Sequence, residues 1–355
     1  MNKNLDRYQR QTIFPELGEA GQQSLLDATV VIVGCGATGT ALSNLLARAG
    51  VGRLRIIDRD FIELNNLQRQ TLFDEADIAA HLPKAEAATR KLRVVNSAIE
   101  IEGIVADVNP GNVLNLIQDA TVVMDGTDNF STRYLLNDAC IHLAKPWIYS
   151  GVLASYGMTA TLLPAGAADK LPGQRATTGC LRCLLGTMPA PGTTATCDTA
   201  GVIGPGVALV TAVGAAEAMK LIIGRGELNK GLLHMDVWTH EYEQFTVGGP
   251  RPDCPVCGGH QFEFLHAQAG ATSSTLCGRN AVQIVVHSSD ESKLDLVRLE
   301  EQLASVVTKQ TRNDYLLRAQ IDDYEFTIFP DNRAIIKGTD DEDLAKGLYA
   351  RYIGY

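Results

Sequence analysis

Basic charge is scarce in this sequence: 31 lysines and arginines face 41 aspartates and glutamates, a formal net charge of −10. A protein that grips nucleic-acid backbones needs a concentrated cationic surface, so the balance argues against a nucleic-acid partner. A nucleotide site survives this test, because it needs only two or three placed cations. Long apolar runs are missing too, and no stretch reads as the 18 or more apolar residues of a membrane span. The first twenty residues, MNKNLDRYQRQTIFPELGEA, lack the apolar core of a signal peptide. A cytoplasmic protein is therefore expected. Thiols stay reduced there, so the eight cysteines point to metal or catalysis rather than to disulfides. Internal repeats are absent as well.

What remains is ordinary globular material, 45% hydrophobic over 355 residues, enough for one large domain and a smaller one. An apolar, β-branched stretch from Ala28 to Val33 leads into Gly34-Cys35-Gly36-Ala37-Thr38-Gly39 and then a helical pattern to Ala49. A second strand runs from Arg53 to Asp58, a helix carries Lys84 to about Val95, and strands follow at Ile99–Val105, Thr121–Asp125 and Pro146–Ser150. Strands alternating with helices of this length imply a parallel sheet covered on both faces. After Gly157 the pattern changes to antiparallel strands, two loops at 164–178 and 186–196, and a small-residue helix from Gly206 to Ile223. The expected fold is α/β: a Rossmann-like sheet whose parallel core is extended by antiparallel strands. Residues 1–265 form that domain, 266–280 a linker, and 281–355 a small α+β domain.

The glycine turn carries the first chemistry. Glycines let the backbone approach phosphate, and the helix behind them presents free N–H groups. Asp58, nineteen residues beyond Gly39, is placed to accept from a ribose hydroxyl. Taken this far, it reads as a nicotinamide or flavin site. Asn65-Asn66-Leu67-Gln68-Arg69-Gln70 changes the reading. Hydride transfer does not need an arginine and amides here, whereas triphosphate does: Arg69 and Lys84 would neutralise it, and Asn66 and Gln70 would hold its oxygens. Asp128, just past the Thr121–Asp125 strand, suits Mg2+ on ATP phosphates. It equally suits the N-cap of the helix that starts near Asn129.

Cys180-Leu181-Arg182-Cys183 and Cys254-Pro255-Val256-Cys257 are two C-x-x-C pairs. Four thiolates make a closed tetrahedral site, so Cys180, Cys183, Cys254 and Cys257 are expected to hold a structural Zn2+. Cys197 stands alone in a polar loop, where either an inert thiol or a nucleophile fits. Cys35, Cys140 and Cys277 are read as inert.

Together with Arg7-Tyr8-Gln9-Arg10-Gln11, Pro83-Lys84, Thr127-Asp128-Asn129 and Cys197-Asp198-Thr199-Ala200-Gly201, these motifs resemble the ThiF/MoeB/HesA adenylyltransferases of the ubiquitin-activating-enzyme-like superfamily. They stand in that family's order from residue 7 to residue 257. The tail, ending Leu348-Tyr349-Ala350-Arg351-Tyr352-Ile353-Gly354, is similar to that of Bacillus-type ThiF proteins of thiazole biosynthesis. The resemblance implies adenylation of the C-terminal glycine carboxylate of a ubiquitin-like sulfur-carrier protein, with ATP, Mg2+ and Zn2+. The implied nucleotide residues are Gly34, Gly36, Gly39, Asp58, Asp60, Asn66, Arg69, Gln70, Lys84 and Asp128. Arg10 would come from the second subunit of a homodimer, Cys197 would link covalently to the activated carrier, and a cysteine desulfurase would donate sulfur. Thr38 departs from the bulkier apolar residue usual in the family's glycine turn. The same chemistry on a molybdopterin carrier or a ribosomal peptide is the close alternative, and an NAD-dependent oxidoreductase the distant one.

Overall fold

The computed structural model describes residues 3–167, 171–173, 176–189, 197–229, 231–246, 248–266, 272–276, 280–285 and 294–353. The chain divides into two compact units, Met1–Ala267 and Gln268–Tyr355.

The first unit is built on eight strands: β1 (Thr29–Val33), β2 (Arg53–Ile57), β3 (Glu100–Ile104), β4 (Val122–Asp125), β5 (Trp147–Leu153), β6 (Tyr156–Leu162), β7 (Gly231–Asp236) and β8 (Glu241–Thr246). They lie in the order β3-β2-β1-β4-β5-β6-β7-β8. The pairs from β3 through β5 are parallel, and those from β5 through β8 antiparallel. β1 reads Thr-Val-Val-Ile-Val without polar alternation because helices cover both of its faces. Val30 and Ile32 pack with helices Ala37–Ala49, Lys84–Val95 and Gly204–Ile223 on one side. Val31 and Val33 pack with Val113–Ile117 and Phe130–His142 on the other. This arrangement sets the carboxyl ends of β1, β2, β4 and β5 along one edge, where the glycine turn, Asp58 and Asp128 lie.

One expectation needs correcting. Helix Gly204–Ile223 is long and apolar enough, by length and composition, to cross a membrane. Here it is a core helix: Ala215, Ala218 and Leu221 are buried against the sheet. Its buried Glu217 accepts hydrogen bonds from the Thr161 hydroxyl (2.6 Å) and the Asn229 amide (2.8 Å). The polar N-terminal stretch, for which no element was anticipated, forms a 3-10 turn (Lys3–Tyr8) and helices Gln9–Thr12 and Gly18–Leu26. The loops expected at 164–178 and 186–196 lie partly outside the described residues.

The second unit is a six-stranded antiparallel sheet of β9 (Thr272–Leu276), β10 (Ala281–Val285), β11 (Lys309–Arg312), β12 (Leu317–Ile321), β13 (Tyr324–Ile328) and β14 (Arg333–Lys337), ordered β11-β12-β13-β14-β10-β9. Helices Leu296–Leu303 and Glu342–Tyr352 cover one face through Leu299, Leu303, Ala345 and Tyr349, packed on Val282, Ile284, Phe326 and Ile336. Strand β9 lies within the stretch anticipated as a linker. Cys277 lies outside the described residues.

Candidate active site

The turn after β1 is shaped by backbone-to-backbone contact. Gly34 has φ +91°, a region that favours glycine, and a Cβ there would stand 2.5 Å from the Gly126 carbonyl oxygen. A Cβ on Gly39 or on Gly126 would collide with the Gly34 carbonyl oxygen. The turn, the first turn of its helix and the residue after β4 therefore interlock. Gly36 differs, because the nearest atom to a Cβ there is Gln70 Nε2 at 3.9 Å. Gly34 and Gly39 serve packing, and Gly36 leaves open space. Helix Ala37–Ala49 starts at Gly36 without a side-chain cap, so its leading N–H groups can meet an anion. Thr38 is buried in that first helical turn.

Asp58, beyond β2, ties this turn to its own loop. Its carboxylate accepts from the amides of Cys35 (2.5 Å) and Asp60 (2.6 Å). Burial raises its pKa, the Lys84 charge opposes the rise, and the Asp60 carboxylate adds to it. Lys84 opens helix Lys84–Val95, with its amide on the Asp60 carbonyl (2.8 Å) and its Nζ 3.2 Å from Asp60 Oδ2. Burial alone would lower the Lys84 pKa. The carboxylates of Asp60, Asp58 and Asp128 outweigh it and raise the pKa, so a fixed ammonium sits among three acids.

Asn66 is committed more locally than anticipated. Its oxygen accepts the Glu63 amide (3.2 Å) and its Nδ2 donates to Asn65 (2.8 Å), which leaves one amide hydrogen for a ligand. Arg69 is half-buried and donates to the Asn65 carbonyl (2.8 Å). Gln70 is buried, and among the described residues its Oε1 has no hydrogen-bond partner. A buried acceptor without a partner fits a ligand that brings a hydrogen-bond donor to this turn, while the Nε2 donor of the same side chain faces the open side of Gly36.

At the end of β4, Asp128 is not the helix cap. The cap of helix Phe130–His142 is Asn129, whose side chain accepts from the Thr132 amide (2.8 Å). Asp128 is exposed and carries no cap bond. Beneath it lies a pair that sequence reasoning did not single out. Buried Asp125 accepts from the Thr127 amide (2.9 Å) and hydroxyl (2.7 Å), and Arg133 Nε stands 3.0 Å from its other oxygen. An Asp closing an apolar strand, followed by an Arg eight residues on, was the available signal.

Arg10 is not brought to this cluster within one chain. Gln11, its neighbour on helix Gln9–Thr12, donates to the Ala49 carbonyl (2.8 Å) at the far end of helix Ala37–Ala49. Thirteen residues of helix, about 20 Å, separate that end from the glycine turn. The backbone of Cys197 begins the short helix Cys197–Ala200, while its side chain lies outside the described residues. The following segment is pinned at the carboxyl edge. Ala154, after β5, donates to the Gly201 carbonyl (2.8 Å) and accepts from the Ile203 amide (2.9 Å). Gln68 reaches the Val202 carbonyl at 3.4 Å.

The two cysteine pairs do converge. Cys180 Sγ lies 3.6 Å from Cys254 Sγ and 3.9 Å from Cys183 Sγ, and Cys183 Sγ lies 3.4 Å from Cys257 Sγ. Zn–S bonds of 2.3 Å in a tetrahedron set sulfur–sulfur distances of about 3.8 Å, so four thiolates here fit zinc. Burial pushes the Cys254 thiol up, but the Cys257 and Val256 amides together with the Cys183 and Cys257 thiols outweigh it and lower its pKa to about 7. Helix Phe130–His142 anchors both knuckles. Asn137 Oδ1 accepts the Leu181 amide (2.8 Å), and Asp138 accepts the Phe264 amide (2.9 Å).

A family profile described as the ThiF family matches residues 8–256. The chain belongs to the ThiF family. Among its ThiF-family relatives, the sulfur carrier protein ThiS adenylyltransferase of Bacillus subtilis (strain 168) is 41% identical over 349 residues, covering 98% of this chain and 99% of the relative. The SAMP-activating enzyme E1 of Haloferax volcanii is 39% identical over 255 residues, covering 72% of this chain and 89% of that one. Among solved structures, Escherichia coli MccB with MccA-N7isoASN superposes with a TM-score of 0.61 at 26% identity, covering 71% of this chain and 75% of its own. MccB with ATP gives 0.59 at 25%, covering 72% and 75%. As a ThiF-family member the chain is a nucleotidyltransferase.

Proposed function

We propose that this protein adenylates the C-terminal glycine carboxylate of a ThiS-type sulfur-carrier protein, for sulfur transfer in thiazole biosynthesis. The observation that carries the chemistry is the meeting of Lys84, Gln70 and Asp128 around an open glycine turn at one sheet edge. End-to-end likeness to the Bacillus relative, through the second unit, supports the carrier.

In this reading a carboxylate oxygen of the carrier attacks the α-phosphorus of ATP. The bond from that phosphorus to the β-bridging oxygen breaks, and pyrophosphate leaves. The nucleophile is already ionised, so positioning and charge neutralisation carry the catalysis. The glycine turn and the free N–H groups of its helix cradle phosphate, and Asp58 takes the ribose. Asp60 holds Lys84 in place, and Lys84 and Arg69 balance charge on the departing pyrophosphate. Asn66 and Gln70 orient oxygens. Asp128 would hold Mg2+, which supplies further positive charge to the phosphates. Arg10 completes the site from a second copy of the chain, because its own site is out of reach. Cys197, at the start of the short helix that precedes the segment bonded to Ala154, acts after adenylation in linking to the carrier. A cysteine desulfurase in the cytosol supplies the sulfur, and Zn2+ on the four cysteines holds the knuckles together.

The test is ATP–pyrophosphate exchange by zinc-loaded protein with a ThiS-type carrier, a molybdopterin-type carrier and an MccA-like peptide, the last included because of the MccB likeness. Exchange with the ThiS-type carrier is expected. Exchange with none of them overturns the reading, and exchange with only one of the others reassigns the substrate. Asp128→Asn should lower exchange by about a hundredfold or more, whereas Cys197→Ala should leave it intact and impair only sulfur transfer.

A further inference from the structure

We propose that Arg133 is a positioning residue for the Asp128 carboxylate, acting through the Asp125–Thr127 turn; this rests on the reading of Asp128 given above. The guanidinium is 8% exposed and faces inward. Its Nε bonds Asp125 Oδ2 (3.0 Å), and its Nη2 donates to the carbonyls of Thr127 (2.6 Å) and Ser150 (3.2 Å). The rings of Tyr149 and Phe130 flank it at 5.4 and 5.7 Å. Asp125 in turn takes both the amide and the hydroxyl of Thr127. Arg133 thus joins the end of β4, the loop that leaves it and the neighbouring strand β5.

The consequence falls on the next residue. Asp128 lies between this clamp on Thr127 and the helix cap at Asn129, so its backbone is held on both sides while its side chain faces outward. Gly126, pressed against Gly34, couples the same turn to the phosphate loop. The guanidinium meets these partners with two separate nitrogens, Nε on Asp125 and Nη2 on the two carbonyls, and the single nitrogen of an ammonium cannot stand at both places. Arg133 is buried below the turn and touches no substrate, so its effect on catalysis runs through Asp128. A merely structural ion pair would change stability and leave the kinetics of the folded protein untouched.

The experiment follows ATP–pyrophosphate exchange in full-length, zinc-loaded protein at saturating carrier, comparing wild type, Arg133→Lys, Asp128→Asn and the double variant. Arg133→Lys should lower kcat about tenfold or more, since small misplacements of reacting groups have effects of this order. Its half-saturating Mg2+ should rise several-fold, with KM for ATP within about twofold. In the Asp128→Asn background the same substitution should change residual exchange by less than about twofold, because coupled residues are non-additive. Folded Arg133→Lys with wild-type kcat and Mg2+ dependence, beside an impaired Asp128→Asn, overturns this proposal alone. So does a penalty that multiplies undiminished in the double variant. Unimpaired Asp128→Asn overturns the metal reading and this proposal with it. If Arg133→Lys does not fold, Thr127→Val removes the hydroxyl bond to Asp125, one strand of the same turn, while keeping the ion pair and the Arg133 bond to the Thr127 carbonyl. A smaller shift in the same two quantities supports the proposal, and no shift overturns it.

Discussion

Asp138 gives a quantitative handle on the join between helix Phe130–His142 and the cysteine knuckles. It is 1% exposed on helix Phe130–His142, and its carboxylate accepts the Phe264 amide just past the second cysteine pair. Burial pushes its carboxyl up to about 6, against the opposing pull of the Phe264 and Leu265 amides. An unfolded aspartate titrates near 3.9, so the displacement is about 2 units, worth about 3 kcal/mol. Because the folded value is raised, the native state binds the proton more tightly. That contribution to stability is complete below pH 4 and is lost as pH rises through 6. Asp138→Asn keeps a neutral acceptor and removes the titration. Relative to wild type, the variant should match it near pH 4 and gain up to about 3 kcal/mol by pH 7, several degrees in melting midpoint. Taking the difference between the two proteins removes every other titrating group from the curve. The measurement is thermal unfolding of both zinc-loaded proteins from pH 4 to 7.5. A difference that stays flat, or that falls with pH, refutes the argument.

Gly39→Ala should destabilise the first unit by about 2 kcal/mol and abolish ATP binding, because its Cβ meets the Gly34 carbonyl and not a movable side chain; calorimetric titration with ATP reads this directly. Chelation should release about one zinc per chain and lower the melting midpoint, with zinc alone restoring it; a midpoint indifferent to the metal counts against a structural site. Mixing Arg10→Ala with Asp128→Asn protein should recover about a quarter of wild-type exchange, because half the dimers then carry one complete site. If Arg10 served its own chain, the mixture would stay inactive.

Much of the first unit could be read locally. The β-branched run before Gly34, the glycine spacing and the acid at the end of β2 each express a short-range rule, and the sheet follows from their repetition. The second unit was harder. Its edge strands β9 and β11 are short and polar, so composition resembles a linker or loop until neighbouring strands pair with them.

The residue types of the site were legible, but several of their jobs were not. Whether Asp128 or Asn129 caps the helix depends on backbone angles at one junction, which composition does not encode. The Asp125–Arg133 pair required helix Phe130–His142 to fold back beneath β4, and the convergence of four sulfurs required chain segments some seventy residues apart to meet. Arg10 lies only 24 residues before Gly34, yet it stands at the far end of the helix that the glycine turn begins. Helix Gly204–Ile223 has the composition of a membrane span, and its burial against the sheet makes it the core of this unit. Local chemistry chose the elements and the ligand-type residues. Long-range packing, which alone brings distant side chains within bonding distance, decided what each of them does.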